Sequence, residues 1–201
     1  MRTPSLSTHE LYHVYNRGVN KRDLFQSEQD YWRFLNLLRI LNTSENRNNS
    51  LEKSKLRQQF LPTPGNQLVN ILAFCLMPNH LHFLLEQCVD DGISKFMHKI
   101  CMSHAKYFNI TNKRTGALFE PKFKSKHVKT ESYYSQISKY IHRNPLDLCQ
   151  NRDEIAKRTF LLDYKWSSLH AYLNTQSNDF VDKRIMDEFR DPNEYLKFIF
   201  S

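Results

Sequence analysis

Glycine is scarce, with four residues in a chain of 201, and neither GxGxxG nor GxxxxGK[ST] occurs. The glycine-rich loops that cradle nucleotide phosphates are therefore missing, which argues against a nucleotide-driven reaction. The four cysteines, Cys75, Cys88, Cys101 and Cys149, form no CxxC pair, so a zinc ribbon is disfavoured. Cys75 and Cys88 lie in apolar stretches and read as small buried hydrophobes. No apolar run approaches membrane-spanning length, and the N-terminal residues lack the apolar core of a signal peptide. The expectation is a cytoplasmic protein with no membrane partner.

What is present suits a globular fold. Hydrophobic residues make up 40% of the chain and aromatics 13%, enough to fill the core of one compact domain. Lys and Arg total 29 against 21 Asp and Glu, a net charge of +8. Such an excess favours polyanionic partners, nucleic acid first and anionic membrane second.

Periodicity organises the chain. LYHVYN (11–16) is strand-like and runs into the basic turn RGVNKRD. Ser27 and Asp30 can open a helix carrying Tyr31, Phe34, Leu35, Leu38 and Leu41 at helical spacing. Residues 42–67 turn polar and read as a surface insertion with a short helix near 51–60. LVNILAFCLM (68–77), a Pro78-Asn79 turn and HLHFLLEQ (80–87) predict an antiparallel hairpin. A helix follows over about 92–109, then a basic extended segment, GALFEPKFKSKHVK (116–129). A further helix from Glu131 stops near Arg143, because the residue before Pro145 avoids helical geometry. The order β-α-β-β-α-β-α predicts an α+β fold with helices packed on one face of an antiparallel sheet. The expected organisation is one main unit over 1–160, carrying the polar insertion, and a C-terminal strap and helix over 161–201, packed on the same domain.

The stretch MPNHLHFLLEQ (77–87) carries the most chemistry. Alternate residues of a strand face the same way, so His80 and His82 share one face and Leu81, Phe83 and Leu85 the other. Two imidazoles so placed can bind a divalent ion if a third ligand arrives from elsewhere; they can equally be polar residues at a strand end. On the helix from Glu131, residues Tyr133, Ile137, Tyr140, Ile141 and Asn144 form one stripe expected to face the sheet. That stripe reads as core packing, or, if it covers the histidines, as a way to bring the Asn144 carbonyl oxygen and the Tyr140 hydroxyl to them. A free tyrosine titrates near ~10 and is a weak nucleophile at neutral pH, whereas a divalent ion polarises a phosphate and neutralises the charge that develops on it. Lys122, Lys124 and Lys126 alternate, and Arg17, Lys21 and Arg22 add charge in the first turn. They suit a phosphate backbone or a solvated strand edge that blocks aggregation. Phe119 and Phe123 suit base stacking or inward packing.

Taken together, LYHVYNRGVNKRDLF, MPNHLHFLLE, GALFEPKFKSKHV, ESYYSQISKYIHRNP and DYKWSSLHAYL occur in an order that resembles the single-tyrosine HUH transposases of small insertion sequences. The likeness is strongest to the REP-associated tyrosine transposases and spans about residues 10–175. It implies a ferredoxin-like core with the histidine pair on a central strand. It also implies Mg²⁺- or Mn²⁺-dependent cutting and rejoining of single-stranded DNA, usually at hairpins. Carried over by position, His80, His82 and Asn144 are metal ligands, and Tyr140 is the nucleophile that forms a 5′-phosphotyrosine and frees a 3′-hydroxyl. The resemblance allows a monomer or a homodimer. The competing readings are a domesticated hairpin-binding or processing protein, an RNA-binding α+β domain with structural histidines, and a metal-dependent hydrolase without a covalent intermediate.

Overall fold

The computed structural model describes residues 6–44, 66–151, 153–175 and 179–201. Most of the polar insertion expected at 42–67, with its short helix, lies outside the described residues. Four strands form one sheet: β1 (Leu11–Arg17), β2 (Val69–Met77), β3 (His80–Gln87) and β4 (Lys124–Val128). Their order is β2-β3-β1-β4, and every pair is antiparallel. With helix α1 (Glu28–Ile40) between β1 and β2, and α2 (Gly92–Thr111) between β3 and β4, this is the ferredoxin-like arrangement. It places the histidine strand in the middle of the sheet.

Each element follows from local sequence. Ser27 and Asp30 build a reciprocal capping box that starts α1, and the Tyr107 hydroxyl donates to the other Asp30 oxygen at 2.9 Å, tying α2 to α1. The β2–β3 hairpin turns on Pro78 and Asn79, with Met77 paired to His80. Its tip is held by the segment after β1: Leu24 N–H donates to the Pro78 carbonyl at 2.6 Å and Gly18 N–H to that of Asn79 at 2.9 Å. A Cβ on Gly18 would stand 2.0 Å from the Arg22 carbonyl oxygen, so only glycine lets this basic turn close.

Helices α1 and α2 cover the face of β3 that carries Leu81 and Phe83; the Phe83 and Phe96 rings meet edge-on at 6.3 Å. The opposite face receives α3 (Glu131–Arg143) and the C-terminal part of the chain. After α3 come a 3-10 turn (Asn144–Leu148), α4 (Glu154–Asp163), the short α5 (Leu169–Tyr172) and α6 (Pro192–Phe200). Helix α4 was not anticipated from the sequence, although Asp153 caps it by accepting from Ala156 N–H. The connection between α4 and α6 runs along the outer edge of β2. Trp166 accepts from Leu76 N–H at 2.9 Å, and Asp182 N–H donates to Ile71. The edge strand is thus covered instead of exposed. Tyr172, Ile185, Tyr195 and Ile199 join Phe74 and Ile141 in the same core.

The stripe expected to pack α3 on the sheet is only half right. Ile141 is buried, but Tyr133 and Tyr140 are 51% and 52% exposed. The inward face is instead Ser135, Ser138, Ile141 and His142. Ser138 and His142 can occupy it because each finds a partner. The two ring nitrogens of His142 meet Tyr195 Oη and Ser168 Oγ, each at 2.7 Å, and Ser138 Oγ lies 3.0 Å from the same Tyr195 hydroxyl. Ser168 Oγ in turn accepts from Phe74 N–H of β2 at 2.8 Å. Arg143 also donates to the Ile199 carbonyl of α6 at 2.6 Å. The rotation of α3 is therefore set by a buried hydrogen-bond network as much as by apolar packing.

Candidate active site

Strand pairing assembles the site. Tyr15 lies opposite His82, Arg17 opposite His80, Lys124 opposite Tyr15 and Lys126 opposite His13. Directly opposed residues share a face, so all seven side chains belong to the side of the sheet that α3 covers. His80 and His82 rings sit 5.1 Å apart, nearly perpendicular. The rotation of α3 that leaves Tyr140 half-exposed also brings its ring edge-on to His13 at 5.5 Å and to His82 at 5.7 Å. Tyr140 thus combines proximity to the histidines with access from solvent. Asn144, only 6% exposed, donates its amide N–H to the Tyr140 carbonyl at 2.8 Å, and it is close enough to His80 to act on that ring's pKa.

Each imidazole is oriented by a neighbour. His80 Nδ1 lies 2.7 Å from Asn79 Oδ1, and the Asn79 amide nitrogen donates to the Lys21 carbonyl. The Asn79 oxygen therefore faces His80, Nδ1 carries the proton and Nε2 keeps its lone pair. His82 Nδ1 lies 2.9 Å from His13 Nε2. Burial, with the nearby His13 and His80, pushes the His82 pKa down to about 3. Burial and the Lys126 ammonium lower His13 to about 4. Burial lowers His80 too, against the opposing pull of Asp147 and Asn144. All three rings are neutral at pH 7, the form in which imidazole offers a lone pair to a cation. Among the described residues no group of three His, Cys, Asp or Glu side chains could hold a metal ion. Beside the histidine pair, Asn144 could offer an amide oxygen, a hard donor of the kind Mg²⁺ and Mn²⁺ take.

A cleft of about 340 Å³ opens beside this cluster, lined by Tyr15, Arg17, Lys21, Lys124 and the two histidines, with Glu120 on its wall. Arg17 pairs with Glu120 at 2.5 Å. The basic residues expected to act together divide. Arg17, Lys21 and Lys124 line the cleft, and Lys126 flanks His13. Arg22 is exposed, in the basic turn. Lys122 departs from the expected lysine stripe, because β4 begins only at Lys124. Phe119 is buried in the core, and Phe123, partly buried, packs against it.

His13, Tyr15, Asn79 and Glu120 were missed in the sequence. The period-2 alternation of LYHVYNR already put His13, Tyr15 and Arg17 on one face; what it lacked was the register against HLHF.

The sequence pattern of the family described as "Transposase IS200 like" matches residues 35–144, more than half of the chain, so the protein belongs to the IS200-like transposase family. A solved structure of a REP-associated tyrosine transposase bound to a REP hairpin shares the fold. Its TM-score is 0.57 at 15% identity, over 90% of this chain and 93% of that one. Among curated proteins none matches. No helix of the described residues is long and apolar enough to cross a membrane.

Proposed function

We propose that the protein cuts and rejoins single-stranded DNA through a covalent link to Tyr140. The observation that carries this reading is the half-exposed Tyr140 ring set edge-on to His82 beside a basic cleft. His80, His82 and Asn144 would hold Mg²⁺ or Mn²⁺, which supplies Lewis-acid polarisation of the scissile phosphate. The Tyr140 oxygen attacks phosphorus and gives up its proton to solvent. The bond from phosphorus to the 3′-oxygen breaks, and that oxygen takes up a proton. A 5′-phosphotyrosine and a free 3′-hydroxyl result, and attack by a 3′-hydroxyl in the reverse sense rejoins the strand. Arg17, Lys21 and Lys124 follow the backbone through the cleft, with Lys126, Arg22 and Lys122 adding charge at its margins. The hairpin in the structural neighbour supports a hairpin-forming substrate here as well.

The test is a pool of single-stranded hairpins that includes the flanks of the gene itself, incubated with protein and Mn²⁺ or Mg²⁺ and run on a denaturing gel. A protein–DNA adduct that disappears with Tyr140→Phe and with chelator is the expected result. Tight binding without an adduct under either metal would favour a domesticated hairpin-binding protein. Cleavage that survives Tyr140→Phe would point to a hydrolase without a covalent intermediate.

A further inference from the structure

His82 offers its Nε2 to a cation only if its proton sits on Nδ1, and one residue on the neighbouring strand is placed to decide this. His13 projects from β1 two positions before Tyr15, the residue opposite His82, so it lies diagonally across the strand pair on the same face. Its Nε2 is 2.9 Å from His82 Nδ1, with the ring planes within 19° of parallel and the centroids 5.2 Å apart. Both side chains are only 6% exposed.

Two imidazole nitrogens at this separation share one proton. If His13 donates, His82 Nδ1 accepts and the remaining His82 proton is on Nε2, which is then closed to a cation. If His82 donates, its Nε2 is open and His13 carries its own proton on Nδ1. We propose that His13 is a positioning residue that accepts the Nδ1 proton of His82 and so holds His82 in its cation-binding tautomer. This inference rests on the reading of His80, His82 and Asn144 as a divalent-cation site.

Orienting partners of this type are usually a carboxylate or a backbone carbonyl, which can only accept. An imidazole can either accept or donate. The arrangement therefore has two proton states, and a cation at His82 selects one of them. Asn79 has the matching task at His80, but its oxygen can only accept, so His80 lacks this freedom. The two histidines of the HLH strand differ in this respect although they look equivalent in the sequence.

The experiment uses the full chain. Mn²⁺ affinity is measured by calorimetry for the unaltered protein and for His13→Leu, His13→Gln and His13→Asp, with folding checked by amide NMR spectra. Removing the acceptor in His13→Leu should weaken Mn²⁺ binding about 10- to 100-fold, the usual cost of losing an orienting partner. His13→Gln, which keeps an acceptor, should restore most of the affinity, and His13→Asp should meet or exceed the original. Long-range ¹H–¹⁵N spectra with diamagnetic Mg²⁺ supply a readout that a merely structural role would not move. His82 should be protonated on Nδ1 in the unaltered protein and a mixture of tautomers in His13→Leu. Unchanged Mn²⁺ affinity in a folded His13→Leu, or a His82 that keeps its Nδ1 proton without His13, overturns the inference while leaving the cation site standing. Failure of the unaltered chain to bind Mn²⁺ overturns the cation site itself and this inference with it.

Discussion

Asn144 and Tyr140 are joined by a hydrogen bond 2.8 Å long from the amide of one to the backbone carbonyl of the other. One helix end therefore sets both the proposed nucleophile and the oxygen that stands beside His80. Asn144→Leu should lower Mn²⁺ affinity and adduct yield roughly 10-fold or more, as expected when an oxygen donor is lost from such a site. Asn144→Asp keeps an oxygen there but loses the N–H to Tyr140. It should retain cation binding and lose adduct rate, a split that calorimetry and single-turnover gels can read.

The buried network behind α3 should matter to stability and to activity alike. Tyr195→Phe removes the hydroxyl that partners His142 and Ser138. It leaves two buried polar groups short of a partner, at a cost of about 1–3 kcal/mol. Urea denaturation should show that loss, and the adduct yield should fall although Tyr195 is remote from the cleft.

His104 predicts an acid limit to stability. Burial lowers its pKa to about 4; a Leu24 carbonyl and Asp30 oppose that shift, and Arg33 reinforces it. Its Nε2–H donates to Leu24 at 2.7 Å, and Phe25, Phe34 and Phe108 surround the ring. The unfolded chain takes up a proton near the ordinary value of 6.5 while the folded one resists, so this stabilisation is complete above pH 6.5. It falls away towards pH 4, by up to about 3 kcal/mol. Urea titrations across that window should show the slope, and a folded His104→Gln should lessen it while the buried His13, His82 and His142 keep contributing.

The cleft cations should separate from the outlying ones by salt dependence. Lys21→Ala and Lys124→Ala each remove one cleft charge and should lower the salt slope of single-strand binding by roughly 0.7. Lys122→Ala, outside β4 and the cleft, should change it less.

Much of this architecture was legible from periodicity. The hairpin around Pro78-Asn79, the limits of α3 and the Ser27 cap depend on neighbours a few residues apart, and they appear where the sequence placed them. The features that escaped are those decided by distant partners. His13 acquires meaning only when β1 is set beside β3, 69 residues away. Ser138 and His142 lie off the stripe expected to face the sheet, and they can be buried because Tyr195 and Ser168 satisfy them. That missing information also explains why Tyr140 was expected inside and is found half-exposed. Lys122 falls outside the lysine stripe for a simpler reason: the strand starts two residues later than the alternation suggested.

The Tyr140 ring leans on the histidine strand of its own chain, and α3 is fastened there by His142 to Tyr195 and by Arg143 to Ile199. In genetic terms, a site built this way predicts that each copy acts alone, and exchange of α3 between two copies would overturn that prediction. A copy carrying Tyr140→Phe and another carrying His82→Ala, produced in the same cell, should not complement one another, and neither should poison an intact copy.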